Sequence, residues 1–154
     1  MPVIKIIKHA QSAPGLRLFG LGPNLYPCQG IRQLHNLLNI NTSWAQNRSH
    51  ENIKQMLNQS TVVVSLWNDK KIIGFGRATS DSIYRAILWD IVIDSKFRGN
   101  NYGQLIINKL VNSNDLINVE KIYIMTTNHK KFYNQNGFLD EKQQFLLCKH
   151  KNTK

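Results

Sequence analysis

The 154-residue chain has few cysteines, few acidic residues and no long apolar run. Cys28 and Cys148 lie far apart and form no C-x-x-C pair, so we expect neither a disulfide framework nor a metal site. No apolar run approaches the roughly 20 residues that a membrane-spanning helix needs. The N-terminal MPVIKIIKHA is too short for a signal peptide. These absences favour a reduced, cytoplasmic-type compartment and a protein that is not secreted.

Acidic residues are scarce beside basic ones, with 9 Asp and Glu against 20 Lys and Arg and a formal net charge of +11. Such a balance favours anionic partners: nucleic acid, an acidic membrane or a polyphosphate ligand. The lysines are scattered, however, and the longest clusters are pairs such as Lys70-Lys71 and Lys130-Lys131. Without a basic helix or an arginine-rich arm, we interpret most of the charge as background, and nucleic acid is not the expected partner.

The length and the 42% hydrophobic content predict a single domain over residues 1–154. Apolar periodicity predicts two early helices, the second with Ser49 as its N-cap, and a later helix with a buried stripe of Leu105, Ile106, Leu110 and Val111. The order of predicted elements is a strand (VIKIIKH), two helices (IRQLHNLLNI and SHENIKQMLNQS), three strands (TVVVSLW, KIIGFGRATS and YRAILWDIVID), a helix, a strand (KIYIMTT), a short helix (NHKKFYNQN) and a last strand (GFLDEKQQFLLCK). This order predicts an α+β layer fold.

The turn RGNNYG, residues 98–103, separates the longest predicted strand from a helix. Helix N-termini leave several backbone N–H groups without a partner and therefore bind phosphate groups. Gly99 and Gly103 bring no bulk, Asn100 and Asn101 tolerate a left-handed backbone, and Arg98 adds a positive charge. The alternative is a turn rich in turn-forming residues with no ligand.

Two further features stand out. Asp90 lies within the apolar strand LWDIVID, in phase with Leu88, Val92 and Asp94, and a carboxylate there is either paired or functional. About thirty residues after the turn, FYNQNGF places Tyr133 in a short helix that Gly137 ends. Tyr133 alone is equally compatible with a core position.

The pair of motifs RGNNYG and FYNQNGF resembles the GCN5-related N-acetyltransferase (GNAT) superfamily, whose signature is R/Q-x-x-G-x-G/A followed by F-Y-x-x-x-G-F. The stretches VVVSLW, IIGFGRATSD and LWDIVID are most similar to the plastid and cyanobacterial branch, which includes red-algal chloroplast-encoded acetyltransferases and plant plastid serotonin or protein N-acetyltransferases. The resemblance implies a mixed, mostly antiparallel sheet of six to seven strands flanked by four helices. It also implies a plastid stromal location.

The resemblance implies acetyl-CoA as co-substrate and roles for particular residues. The backbone of Ile91, Val92 and Ile93 is expected to pair with the pantetheine arm. The pyrophosphate is expected on the amides of the turn, namely Arg98, Gly99, Asn100, Asn101, Tyr102 and Gly103. The first glycine of the family motif is Asn101 here, which serves only if the position needs a positive φ. An asparagine often found seven residues before the tyrosine is Thr126 here, and Asn128 is the candidate replacement.

For catalysis, the resemblance makes Tyr133 the general acid toward the leaving thiolate. Asp90 is the first candidate for the general base and His129 the second, each also compatible with a structural role. The expected function is acetyl transfer to a primary amine, either an arylalkylamine such as serotonin or a protein N-terminus or lysine. Phe19, Tyr26 and Trp44 either line an aryl pocket or belong to the core. The alternative function is a catalytically weak basic module that binds nucleic acid or protein. The oligomeric state, monomer or dimer, stays open.

Overall fold

The computed structural model describes residues 3–11 and 15–151. The described chain forms five strands and four α-helices, so the four expected helices are confirmed and the expected six to seven strands are wrong. The elements in chain order are β1 (Ile4–His9), α1 (Gly30–Asn41), α2 (His50–Gln59), β2 (Val62–Asn68), β3 (Lys71–Ser80), β4 (Arg85–Ile93), α3 (Tyr102–Val111), β5 (Lys121–Ile124) and α4 (Lys130–Gln135). Short 3₁₀ helices occupy Pro23–Leu25 and Ser95–Phe97.

The strands form one sheet in the order β1-β2-β3-β4-β5. The pairs β1–β2, β2–β3 and β3–β4 are antiparallel, and β4–β5 is parallel. The parallel pair requires a crossover, which α3 supplies between its two strands. The expectation of a mixed, mostly antiparallel sheet in an α+β fold is therefore confirmed.

Hydrophobic residues pack on both faces of the sheet. On one face, α1 and α2 contribute residues of the predicted stripes to a core that also contains Trp67 and Phe75. On the other face, α3 packs through Ile106 and Leu110 onto β2, β3 and β4. Its stripe includes the buried Ile107, whereas the expected Leu105 is 44% exposed. No helix in residues 3–11 and 15–151 is long and apolar enough to cross a bilayer.

The missing strand is the one expected at GFLDEKQQFLLCK. Residues 139–151 form no regular element, and Phe145, Leu146 and Leu147 are 92%, 75% and 89% exposed. The segment is attached to β5 through side chains, because Tyr123 Oη donates to Gln144 Oε1 at 2.9 Å. Its apolar residues contribute nothing to the core, and the segment that is predicted to be a strand pairs with no strand of the described chain.

A bulge in β4 places Asp90 differently from the regular alternation. The β3–β4 register passes from Phe75↔Val92 to Arg77↔Trp89, so β4 has two residues where β3 has one. Asp90 adopts φ +54°, a left-handed conformation that aspartate tolerates better than most residues. The bulge reverses the phase, since Leu88 packs on the α3 face and Val92 on the α1–α2 face. The expectation that Leu88, Asp90 and Val92 share one face is therefore wrong.

Candidate active site

An opening in the sheet lies where β4 separates from β5. Their parallel ladder runs from Arg85↔Lys121 to Leu88↔Ile124 and stops there, whereas β4 continues to Ile93. The three residues expected to meet the pantetheine arm therefore follow the last paired residue, on an edge that β5 leaves free. Backbone N–H and C=O groups on such an edge are available to pair with an extended ligand.

The turn expected to hold the pyrophosphate lies directly after β4. Asn101 is the N-cap of α3 and has φ +59°, so the position does require the left-handed conformation that asparagine allows. Gly99 has φ +84°, and a Cβ built there meets no atom within 4 Å. Arg98 lies against the strand end, with its Nε donating to the Ile93 carbonyl at 3.3 Å.

The amides of this turn have no acceptor among the described residues. The Asn101 side chain makes no capping hydrogen bond, and Leu105 N is the first amide of the helix to donate, to Asn101 O. Among the described residues, the N–H groups of residues 99–104 have no acceptor and are therefore available to a ligand. An anion there would also interact favourably with the positive end of the helix dipole.

The two motifs of the sequence meet at Gly103. A Cβ at Gly103 would lie 2.9 Å from Cζ of Phe132, so the glycine lets the Phe132 ring approach the first turn of α3. This contact gives Gly103 a packing role against α4, and the expected close approach of phosphate oxygens stays a prediction. The contact also places Tyr133, the next residue after Phe132, close to the turn of residues 98–103.

Tyr133 is buried, with its ring edge-on to Phe132 at 5.0 Å and to Phe138 at 6.0 Å. The helix that carries it ends in a Schellman motif, in which Gly137 N bonds Asn134 O and Phe138 N bonds Tyr133 O. The hydroxyl makes no hydrogen bond with the described chain, yet it is not among the fully enclosed polar atoms. Burial raises the pKa of Tyr133 to about 12, so the hydroxyl keeps its proton at neutral pH.

Asp90 is held by two arginines that the sequence analysis did not identify. Arg48 Nη1 and Nη2 donate to its carboxylate at 2.9 and 3.1 Å, and Arg77 Nε donates at 2.8 Å. Burial by itself raises the pKa of Asp90, but the hydrogen bonds and charges of Arg48 and Arg77 outweigh it and lower the pKa below its usual value. Arg77 had a signal in the sequence, because it is the only charged residue of KIIGFGRATS apart from the terminal Lys71; Arg48 had none.

The remaining candidates lie around the β5–α4 connection. Thr126 Oγ1 accepts from His129 N at 3.1 Å, in the turn that precedes α4. Asn128 is exposed, and its one recorded side-chain contact is Thr127 Oγ1 at 3.5 Å. His129 is exposed at the helix start. Across residues 3–11 and 15–151, no three His, Cys, Asp or Glu side chains lie close enough to hold a metal ion.

The aromatic residues considered for an aryl pocket are all on the surface. Phe19, Tyr26 and Trp44 are more than half exposed, so none belongs to the core. Tyr26 lines a cleft of about 260 Å³ beside Val3, Lys5, Pro23 and Lys70. Phe19 and Trp44 do not line this cleft.

The sequence is similar to curated acetyltransferases of plastid lineages. It is 30% identical over 99 residues to the uncharacterized N-acetyltransferase ycf52 of Pyropia yezoensis, covering 61% of this chain and 57% of that protein. Its match to ycf52 of Gracilaria tenuistipitata is 30% over 115 residues, covering 70% of this chain and 63% of the relative. A shorter match, 42% over 43 residues, is to GCN5-related N-acetyltransferase 2, chloroplastic, of Arabidopsis thaliana, covering 28% of this chain and 17% of that protein. The matched regions span less than two thirds of each relative.

Solved structures share the fold at low identity. A GNAT-family acetyltransferase from Streptococcus pneumoniae superposes with a TM-score of 0.67 at 14% identity, covering 96% of this chain and all of that chain (100%). An aminoglycoside acetyltransferase from an uncultured soil metagenomic sample superposes with a TM-score of 0.68 at 16% identity and 97% coverage of both chains. The family model described as acetyltransferase (GNAT) domain matches residues 58–139, which include the opening, the turn of residues 98–103 and Tyr133. The chain belongs to the GNAT acetyltransferase family.

Proposed function

We propose that the protein transfers an acetyl group from acetyl-CoA to a primary amine, with Tyr133 as the general acid. The observation that carries the proposal is the junction of three features at one place. An unpaired strand edge runs into a turn of unpartnered amides, and that turn packs through Gly103 and Phe132 against the helix that carries Tyr133.

The chain offers a suitable set of donors for the cofactor. Ile91, Val92 and Ile93 supply the strand backbone for the pantetheine arm. The pyrophosphate would be held by the amides of residues 98–103, where Gly99 leaves open space and Asn101 has the required φ. Asn128 follows β5 on the other side of the opening and would contact the same arm. Acetyl-CoA, when bound, supplies the activated acetyl thioester.

The buried tyrosine suits proton donation. A hydroxyl with a pKa of about 12 retains its proton at neutral pH and matches a thiolate, a strong proton acceptor when shielded from water. Its hydroxyl is not engaged by the described chain, so no internal hydrogen bond must break before it donates. Tyr133 therefore donates a proton and does not accept one.

The proton of the acceptor amine needs a different group. Asp90 was the first candidate, and its role as base stays a prediction. The guanidinium groups of Arg48 and Arg77 weaken that candidacy, because they lower its pKa and occupy its oxygens. His129 and water are the alternatives, and His129 is solvent-accessible.

The first test is calorimetric titration of the purified protein with acetyl-CoA and with desulfo-CoA. Micromolar binding of both, about −8 kcal/mol, is expected from the strand edge and the turn together. Absence of binding at millimolar concentration would refute the enzyme proposal. Nucleic acid would then be titrated, because a basic binding module becomes the better account of the +11 charge.

The second test is Tyr133→Phe, which removes one hydroxyl and preserves the ring packing. We expect kcat to fall by about 10²-fold or more, the usual contribution of a general acid, while the Kd of desulfo-CoA stays within about threefold. Tyr84→Phe is the matched control, since Tyr84 is exposed in the β3–β4 connection. Equal losses of kcat and affinity would show that Tyr133 acts through packing alone.

The acceptor class and the location are further proposals. A screen of arylalkylamines, peptide N-termini and lysine peptides at saturating acetyl-CoA would rank the acceptors by kcat/KM.

We propose a plastid location because the Arabidopsis relative is named chloroplastic and the ycf52 relatives belong to red algae. Immunolocalisation of the native protein outside plastids would refute it.

A further inference from the structure

Asp90 lies at the point where β4 has lost one partner and is irregularly paired with the other. On the β5 side the ladder stops at Leu88, two residues earlier. On the β3 side the register skips between Arg77↔Trp89 and Phe75↔Val92. A bulged segment with so few main-chain hydrogen bonds to its neighbours is not held in a single conformation by the sheet alone. The φ of +54° at Asp90 is itself disfavoured and must be stabilised by its surroundings.

Three charged side chains supply that stabilisation. Arg48 binds both carboxylate oxygens of Asp90, and Arg77 binds one of them through Nε. The Asp90 side chain is 4% exposed and the Arg77 side chain 14%, so these are shielded, charge-assisted bonds. Arg77 is also positioned by Trp89, whose ring its guanidinium approaches at 5.6 Å.

The same contacts attach both ends of α2 to the bulge. Arg48 immediately precedes Ser49, the N-cap of α2, and Ser60 is the C-cap of that helix. Arg77 Nη1 donates to Ser60 Oγ at 3.4 Å. The carboxylate of Asp90 therefore connects the start of α2 directly, and its end through Arg77, to the strand segment that borders the opening.

We propose that Asp90, Arg48 and Arg77 form a clamp that holds the β4 bulge in the conformation in which residues 91–93 face the cofactor. The inference rests on the proposed function for its consequence, but the clamp itself concerns only the described chain. In this arrangement Asp90 is a positioning residue that acts through the backbone of β4. It explains why a carboxylate inside an apolar strand is paired with two cations from different elements.

The clamp predicts that loss of Arg48 affects the β4 bulge and cofactor binding as much as loss of Asp90. Arg48→Met keeps an unbranched apolar stem and leaves Asp90 paired with Arg77, so this variant should fold. We expect backbone amides of residues 89–93 to exchange hydrogen faster than in the wild type, and desulfo-CoA to bind about tenfold more weakly. Asp90→Asn should give the same two changes, and the double variant should be no worse than either single one.

Glu120→Gln is the matched control, because it removes one carboxylate from an exposed pair with Arg85 at the other end of β4. It should leave exchange at residues 89–93 and desulfo-CoA affinity as in the wild type. Arg48→Lys restores the charge without the bidentate contact, so it should recover part of the lost desulfo-CoA affinity and exchange protection.

A pH–rate profile separates the clamp from catalysis by Asp90. If Asp90 is the base, Asp90→Asn abolishes the acidic limb of kcat, and Arg48→Met moves that limb upward because one lowering charge is gone. The clamp predicts a lower kcat with the limb unmoved in both variants. The clamp is refuted if exchange at residues 89–93 in Arg48→Met equals that in Glu120→Gln. If the wild type binds no desulfo-CoA, the proposed function fails and the exchange comparison still decides on the clamp.

Discussion

His9 ends a buried chain of hydrogen bonds on the sheet, and protonating it should destabilise the fold. Its Nε2 lies 2.6 Å from Ser65 Oγ, and the same oxygen accepts a hydrogen bond from Trp67 Nε1 at 2.7 Å. With the indole donating to the serine oxygen, the hydroxyl proton of Ser65 is free to donate to a neutral imidazole nitrogen. A protonated His9 would place a second donor against that oxygen, close to the positive charge of Arg17.

The size of the effect follows from the pKa. Burial, helped by the charge of Arg17, lowers the pKa of His9 from 6.5 to about 4. Because the folded-state pKa is lowered, the stabilisation is fully present above pH 6.5 and is lost as the pH falls through about 4. At ~1.4 kcal/mol per pH unit, the difference amounts to about 3 kcal/mol of unfolding free energy. His9 is 9% exposed, so solvent screening reduces this little.

Urea unfolding at pH 7.5, 6.5, 5.5 and 4.5 measures this change in the free energy of unfolding. Between pH 6.5 and 4.5 the wild type should lose stability with a slope approaching ~1.4 kcal/mol per unit, and His9→Gln should lose most of that slope whatever its absolute stability. His150→Gln is the control, because it removes an exposed histidine whose one recorded contact is Cys148. If His9→Gln retains the wild-type slope, His9 is not the group that links folding to pH.

Two further predictions concern the turn of residues 98–103. Asn101→Ala should lower the unfolding free energy by about 1 kcal/mol, since alanine tolerates the φ of +59° poorly, whereas Asn101→Gly should not; urea denaturation measures both. If the alanine variant is as stable as the glycine variant, the backbone there relaxes to another conformation. Gly103→Leu should force Phe132 away and thereby weaken both desulfo-CoA binding and thermal stability, with a cost of about 1–3 kcal/mol. Unchanged melting with weaker binding would indicate that Gly103 serves ligand approach, and not packing.

The elements with strong local signals were predicted well. Ser49 accepts from Asn52 N at 3.1 Å as the expected N-cap, and Gly137 ends α4 with φ +88° as expected. Four apolar residues at helical spacing in α1 are buried against the core: Ile31, Leu34, Leu37 and Leu38. In each case the deciding interaction lies within about one helical turn, or follows from a periodicity that the sequence itself displays.

The prediction of a last strand at GFLDEKQQFLLCK was wrong for a physical reason. The bulky apolar run in QFLLC favours an extended chain, and residues 139–151 do lack helix. Strand formation also needs a partner with free backbone groups in register, which is a property of the assembled sheet and not of the segment. Side-chain bonds to Lys121 and Tyr123 instead hold the segment beside β5.

Asp90 shows the same limit at the candidate site. Regular alternation predicts that residues 88, 90 and 92 share a face, and one inserted residue in the β3–β4 register is enough to reverse it. No residue between 85 and 93 is a glycine or proline that would signal such a bulge. Arg48 and Arg77 contact the carboxylate from positions 42 and 13 residues away in the sequence, and Asp90 adopts a backbone conformation that aspartate seldom adopts. The sequence predicts that a carboxylate at an apolar position is either paired or functional, and the structure shows it paired with two arginines that only the folded chain brings to it.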